Sequence, residues 1–254
     1  SLARLFINLG HYKEAQILHD ELIRNSQVTG DDYKVIPSLI EKTNILKNQG
    51  KFQYGLVQLN QAESICREHN DLDNLQRILG NQADMFINLC EFNQANEKIK
   101  EATEIAQKLN NKYVLLSLQD AQSAVLSYLG DQKSAMELLK ESEKKCEEIG
   151  EDSHLVSNLL DQAAIHKSMG EYGQSMKLLE KGHKIASDLG NQYLISRILI
   201  AEIDIFEVNG EFDNVLNAIQ NARSICQGLD DEFGLAQLNV KEAHFVGSTG
   251  NSQL

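Results

Sequence analysis

The sequence predicts an all-α protein built from about six helix–turn–helix units. Three observations predict it. Gly stands at 10, 50, 130, 170, 210 and 250, forty residues apart, with Cys90 in the missing slot. A second column, Gly30, Asn70, Asn110, Gly150, Gly190 and Asp230, keeps the same period. Between the two columns, apolar residues recur at helical rather than alternating spacing.

The elements follow in order along each unit. Two residues after the Gly come Tyr12, Phe52, Phe92, Tyr172 and Phe212, with Gln132 the exception. Five residues after it comes a small side chain at Ala15, Gly55, Ala95, Ala135 and Ser175, then Val215. Ala95, Ile99, Ala102, Ile105 and Ala106 show the apolar stripe of the helix that starts there. That helix is expected to stop at the second column, because Gly and Asn tolerate the left-handed backbone that ends helices. Asp31, Asp71, Asn111, Asp152, Asn191 and Asp231 then offer side-chain oxygens to cap the next helix. Its apolar column runs Val35, Leu75, Leu115, Leu155, Ile195 and Leu235. A small-residue column, Thr43, Ala83, Ser123 and Ala163, marks where helices can approach closely. Pro37 falls near the start of such a helix, where a missing N–H costs least. The register never slips, so residues 1–254 read as one repeat domain with turns near 10, 50, 90, 130, 170 and 210. The chain opens on Ser-Leu-Ala inside one unit's first helix and closes after another, about 231–246, as a fragment of a longer protein would.

Composition narrows the function. The chain has 24 basic and 37 acidic residues, a net charge of -13, which disfavours nucleic-acid binding. No apolar run approaches the ~20 residues of a membrane span. Nine of the 16 Gly occupy the two repeat columns, leaving little for a phosphate loop. The Walker, Gly-x-Ser-x-Gly, His-Glu-x-x-His and Gly-x-Gly-x-x-Gly motifs are all missing. Cys66, Cys146 and Cys226 alternate with Ala106 and Ala186 in one small apolar slot, too far apart for disulfides at roughly 20 Å or more. Cys66 with His69 makes only two metal ligands. These readings point to a reducing, cytoplasmic compartment, with no cofactor and no metal. His166 shares a column with Leu46, Phe86, Leu126 and Phe206, and reads as a core or hydrogen-bonding histidine. Glu141, Glu143, Glu147 and Glu148 alternate with Lys140, Lys144 and Lys145, spacing that suits surface ion pairs rather than acid–base catalysis. The sequence therefore reads as that of a non-enzyme.

Gly-x-aromatic-x-x-Ala at the turn of a helix–turn–helix unit resembles the tetratricopeptide repeat. The period here is 40 rather than 34 residues, and Gly, Asn or Asp replaces the Pro that usually ends the unit. Leu79-Gly80-Asn81-Gln82-Ala83, Asp161-Gln162-Ala163 and Ala186-Ser187-Asp188-Leu189-Gly190-Asn191 are similar to the repeats of multidomain signal-transduction ATPases. Similar long repeats occur in polarity scaffolds and kinesin light chains. The resemblance implies a right-handed α-α superhelix in which each unit contacts mainly its neighbours, with first helices lining a concave groove.

Aligned to that family, the groove candidates are Asn44, Asn48, Arg77, Asn81, Asp84, Asn88, Asp120, Tyr128, Asp161, Lys167, Arg197 and Asp204. Ile40, Glu41, Lys47, Glu207 and Val208 share the same face. An Asn side chain both donates and accepts, which suits an extended peptide backbone, and Asn44, Asn48, Asn81 and Asn88 make the N-terminal half the first choice for contact. Asp84, Asp120, Asp161 and Asp204 are expected to be answered by Arg77, Lys167 and Arg197. Tyr128 with Ala121, Ala124, Ala164 and Ala201 would leave room for a bulky side chain. The carboxylate clamp of some relatives is excluded, since Ile40, Ser117 and Ala121 stand in its basic positions. Gln82, Gln122 and Gln162 read as an interhelix hydrogen-bonding ladder. The expected partner is a protein or peptide held in the groove. The alternative is an autoinhibitory array packed on other domains of the parent chain, an ATPase domain above all.

Overall fold

The computed structural model describes residues 12–29 and 32–249. They form twelve α-helices and one short 3-10 helix, with no strand among the described residues. Second helices of the units are α1 (Tyr12–Thr29), α3 (Phe52–Glu68), α5 (Phe92–Lys108), α7 (Gln132–Ile149), α9 (Tyr172–Asp188) and α11 (Phe212–Gly228). First helices are α2 (Ile36–Asn48), α4 (Leu72–Asn88), α6 (Lys112–Tyr128), α8 (Asp152–Ser168), α10 (Gln192–Asn209) and α12 (Glu232–Thr249). The 3-10 helix, Asp32–Val35, leads into α2. Pro37 sits in the first turn of α2, where its missing N–H removes no intrahelical bond.

Both punctuation columns act as the sequence requires. Gly50, Cys90, Gly130, Gly170 and Gly210 all have positive φ, and so do Asn70, Asn110, Gly150, Gly190 and Asp230. At all of them but Gly150, where the Glu151 N–H to Cys146 O bond is the one seen, the chain closes the helix with paired backbone bonds. Gly50 N–H reaches Lys47 O at 2.9 Å, and Lys51 N–H reaches Leu46 O at 2.8 Å. These are the bonds that satisfy carbonyls left open at a helix end. Gly10, Gly30 and Gly250 lie outside the described residues, as do Asp31 and the helix expected over residues 1–9.

Capping follows the sequence with one correction. Asp71 accepts the Asn74 N–H, Asn111 that of Val114, Asn191 that of Leu194, and Asp231 that of Gly234. Asp152 does not cap. It is the first residue of α8, behind Glu151, whose side chain makes no cap bond. In the other units the cap directly follows the stop residue, and here that place holds the longer Glu. Asp131 caps α7 through the Ser134 N–H at 3.1 Å, a cap the columns did not indicate.

Residue contacts divide the chain into two compact units, at Leu138 and Leu139. The core of the first joins Ile36, Leu39, Leu59, Ile78, Leu79, Ile99 and Val125, each contributing about 1.5–3 kcal/mol by burial. The small column lets helices close in. A Cβ at Gly55 would lie 3.1 Å from Met85 Cε and 3.5 Å from Thr43 Cγ2. His19 sits in a column otherwise held by Leu59, Ile99, Leu139, Leu179 and Ile219, all buried. Neither of its ring nitrogens has a hydrogen-bond partner. Burial lowers its pKa below the ordinary 6.5, against the pull of Glu41 and Asp20. The core of the second unit has two clusters. Val156, Leu179, Ala186, Ile198 and Ile205 form one, and Ile203, Val215, Ile219, Ala222 and Leu238 the other.

Candidate ligand-binding face

First helices of successive repeats pack on one another: α2 on α4 and α4 on α6 in one unit, α8 on α10 and α10 on α12 in the other. The backbones of second helices α3 and α5, or α9 and α11, do not approach in this way among the described residues. Within each unit the first helices therefore form the inner side, and one stripe of each remains open to solvent.

In the first unit that stripe holds the asparagine group. Asn44 and Asn88 are exposed, and Asn48 and Asn81 half-buried. Asn88 Nδ2 donates to the Asp84 carbonyl of its own helix at 2.7 Å, which leaves its Oδ1 as the outward-acting group. Lys47 Nζ donates to Asp84 at 2.7 Å and ties α2 to α4. Arg77 is exposed and Asp120 half-buried. Tyr128 is 66% exposed, and its ring stacks on Phe92 with centroids 5.2 Å apart and planes at 22°. Its position is therefore fixed by the turn aromatic of the preceding repeat.

The second unit carries an ionic cluster. Asp204 on α10 accepts from Lys167 on α8 and from Lys241 on α12, so one carboxylate joins three first helices. Burial would raise its pKa, but hydrogen bonds from Lys167 and Lys241 hold it below the ordinary 3.8. Arg197 does not answer an aspartate as expected; its guanidinium donates to Gln237 Oε1 at 2.7 Å. Nor does Arg77 serve Asp84, which Lys47 holds. In both cases Lys meets Asp 37 residues away on the next first helix, a geometry the family alignment did not specify. Glu207 accepts from Ser248 at 2.8 Å and pairs with His244 at 3.1 Å. A depression of about 450 Å³ lies between α10 and α12, lined by Asp204, Glu207, Val208, Val240, Lys241 and His244. Lys241 and His244 escaped the sequence reading. Extending the column of Asn81 and Asp161 by two periods, and that of Asp84 and Asp204 by one, would have found them. Asp161 is half-buried on α8.

Other candidate chemistry resolves into structure. Gln82 Nε2, fully buried, donates to Asn60 Oδ1 at 2.8 Å and Glu63 Oε2 at 2.7 Å. Gln122 donates to Asn96 at 3.2 Å and Gln162 to Glu143 at 2.7 Å. This is the expected ladder, each rung joining a first helix to the preceding second helix. His166 Nδ1 lies 2.5 Å from Glu171 Oε2, in the turn between α8 and α9. Cys66, Cys146 and Cys226 are buried and Cys90 exposed. Burial, with Asp71 and Glu63 nearby, pushes the Cys66 thiol up to about 11, away from the reactive thiolate. Among the described residues no three His, Cys, Asp or Glu side chains converge as metal ligands. No helix there is long and apolar enough to cross a membrane.

No protein-family model matches the sequence, and a search of curated proteins finds no match. Solved structures do match. A Rap protein complexed with Competence and Sporulation Factor superposes with a TM-score of 0.71 at 13% identity, over 97% of this chain and 73% of its own. A STAND protein (Signal Transduction ATPase with Numerous Domains) from Pyrococcus horikoshii, which carries a tetratricopeptide repeat sensor, gives 0.60 at 16% identity, over 94% of this chain and 37% of its own. The fold is that of a tetratricopeptide-repeat array. PlcR of Bacillus thuringiensis, crystallised with the peptide PapR7 and DNA, shares it with a TM-score of 0.68 at 12% identity, over 94% of this chain and 99% of its own. At these identities the likeness concerns the fold alone.

Proposed function

We propose that this chain is a non-catalytic interaction module that binds a protein or peptide along the face made by its first helices. The observation that carries this reading is the open stripe on those helices. It keeps Asn44, Asn48, Asn81 and Asn88 accessible in one unit and the depression beside Asp204 in the other. Amide side chains on a rigid helical face can pair with a ligand backbone without first being ordered. PlcR, of the same fold, was crystallised with a peptide, which supports the ligand class. The acid excess supports a partner other than nucleic acid. Three buried thiols support a reducing, cytoplasmic setting.

The test is a selection of random nonapeptides on the chain, followed by titration of the selected peptides into isotope-labelled protein. Amide shifts are expected on α2, α4 and α6 around Asn44, Asn81 and Asn88, or on α10 and α12 around Asp204. Shifts confined to α3, α5, α9 and α11 would overturn the reading.

A further inference from the structure

One rung of the glutamine ladder is chemically different. Positions 82, 122, 162 and 202 are equivalent by the forty-residue period, and they read Gln, Gln, Gln and Glu. Each glutamine donates an amide N–H to the second helix before it. Glu202, half-buried on α10, has no N–H to give when ionised. The two positions that Gln82 engages, 22 and 19 residues earlier, correspond here to Glu180 and His183 of α9. Glu180 acts on Glu202 as a like charge. His183 contacts Ser187 on its own helix at 3.4 Å.

Of the cations on the helices packed against α10, Lys177 and Lys184 of α9 are exposed, and the following are engaged elsewhere. Lys167 of α8 and Lys241 of α12 bind Asp204, and His166 of α8 pairs with Glu171. His244 of α12 pairs with Glu207. Arg223 of α11 bonds Asn239 and Glu242, and Lys181 of α9 turns to Glu143 and Glu147. By the forty-residue period, the rung thus sets a carboxyl, with Glu180 as its like-charged neighbour, where its three counterparts have an amide donor. A proton on Glu202 supplies that donor.

We propose that Glu202 makes the α9–α10 contact a proton-operated latch, closed when the carboxyl is protonated and loosened when it ionises. Burial, with the Glu180 charge added, raises its pKa from the ordinary 4.5 to about 7. The sign follows from that direction. The folded value lies above the unfolded one, so the contribution is fully present below pH 4.5 and is lost as pH rises through about 7. The latch needs no ligand and stands apart from the binding face.

The test is hydrogen exchange of α9 and α10 at about pH 5.5 and pH 8, corrected for intrinsic rates, in the wild type, Glu202→Gln and His183→Gln. In the wild type, linkage predicts a roughly 10- to 30-fold loss of protection between those pH values. Glu202→Gln, which installs the residue of the other rungs, is expected to abolish the loss and hold protection high at both. His183→Gln is expected to keep it. A flat wild-type profile overturns the latch, and so does the same loss in Glu202→Gln. Loss of the pH dependence in His183→Gln assigns the titration to His183 and overturns it too.

Discussion

Glu63 gives the sharpest test of how the repeats are held together. Its carboxylate, 14% exposed, receives Gln82 at 2.7 Å, Lys98 at 2.9 Å and Arg67 at 2.7 Å. It thus joins α3 to both α4 and α5. Burial would raise its pKa, yet hydrogen bonds from Gln82, Lys98 and Arg67 hold it below the ordinary 4.5. The three bonds are not equal. Arg67 is 45% exposed and keeps Glu101 as a second partner, so that pair is worth a few tenths of a kcal/mol. The bonds from buried Gln82 and half-buried Lys98 are each worth about 1–2 kcal/mol, being charge-assisted and partly desolvated. Glu63→Ala should therefore cost about 2–4 kcal/mol. Glu63→Gln, which keeps the shape and one acceptor, should cost about 1–2 kcal/mol.

The assay must be local, because a repeat array unfolds piecewise and one global midpoint does not report one interface. Native-state hydrogen exchange of α3, α4 and α5 supplies that readout. The pKa direction adds a second condition. The folded value lies below the unfolded 4.5, so the carboxylate's contribution is present above pH 4.5 and disappears as pH falls through the folded value. The cost of Glu63→Gln at neutral pH should accordingly shrink as pH falls below 4.5. A cost below about 0.3 kcal/mol at pH 7 would refute the assignment of Glu63 as the hub. A cost unchanged at pH 3 would refute its electrostatic origin.

Two further outcomes follow from single residues. Asp204→Asn leaves the Lys167 and Lys241 ammonium groups facing each other across α10. It should lower exchange protection of α10 by about 1–2 kcal/mol, and a double-mutant cycle with Lys167→Met should show coupling of about 0.5–1 kcal/mol. Additive single effects would dissolve the cluster. Cys90 holds φ +59° at a position where the other described units have Gly. Cys90→Gly relieves left-handed strain of ~1–2 kcal/mol against a smaller entropic loss, so hydrogen-exchange protection of α4 and α5 should rise by about 0.5–1 kcal/mol.

The fold was legible because its determinants are periodic and buried. Thr43, Ala83, Ser123 and Ala163 lie at 0–1% exposure, and changing any of them would separate or overpack a helix pair at a cost of ~1–3 kcal/mol. Ten left-handed residues stop ten helices at the places the two columns indicated. The Asp152 error shows the limit. Asp152 stands 41 residues after Asn111, one place off the forty-residue spacing, and the place that capping uses, directly after the stop at Gly150, holds Glu151. Glu202 was legible too, as the fourth member of a column recognised through three glutamines. It escaped notice because the ladder was read as a set of identical residues rather than as positions.

The binding face was less legible for an energetic reason. The column Asn44, Asp84, Ala124, Ala164, Asp204 and His244 changes chemistry from repeat to repeat. Solvent-exposed substitutions cost only tenths of a kcal/mol, so helix packing does not dictate what stands there. Charge adds little discrimination. Glu41, Asp84, Asp120, Asp161, Asp204 and Glu207 oppose Lys47, Arg77, Lys167, Arg197 and Lys241, so the face is nearly neutral while the chain carries -13. Much of that local charge is already paired, Lys47 with Asp84 and Asp204 with two lysines. A face whose charges satisfy one another repels neither acid nor base strongly, and its selectivity must come from shape and hydrogen-bonding register. Those properties depend on which side chains from successive first helices stand side by side. A one-dimensional alignment gives their order but not the 37-residue Lys–Asp contacts that set the spacing between them.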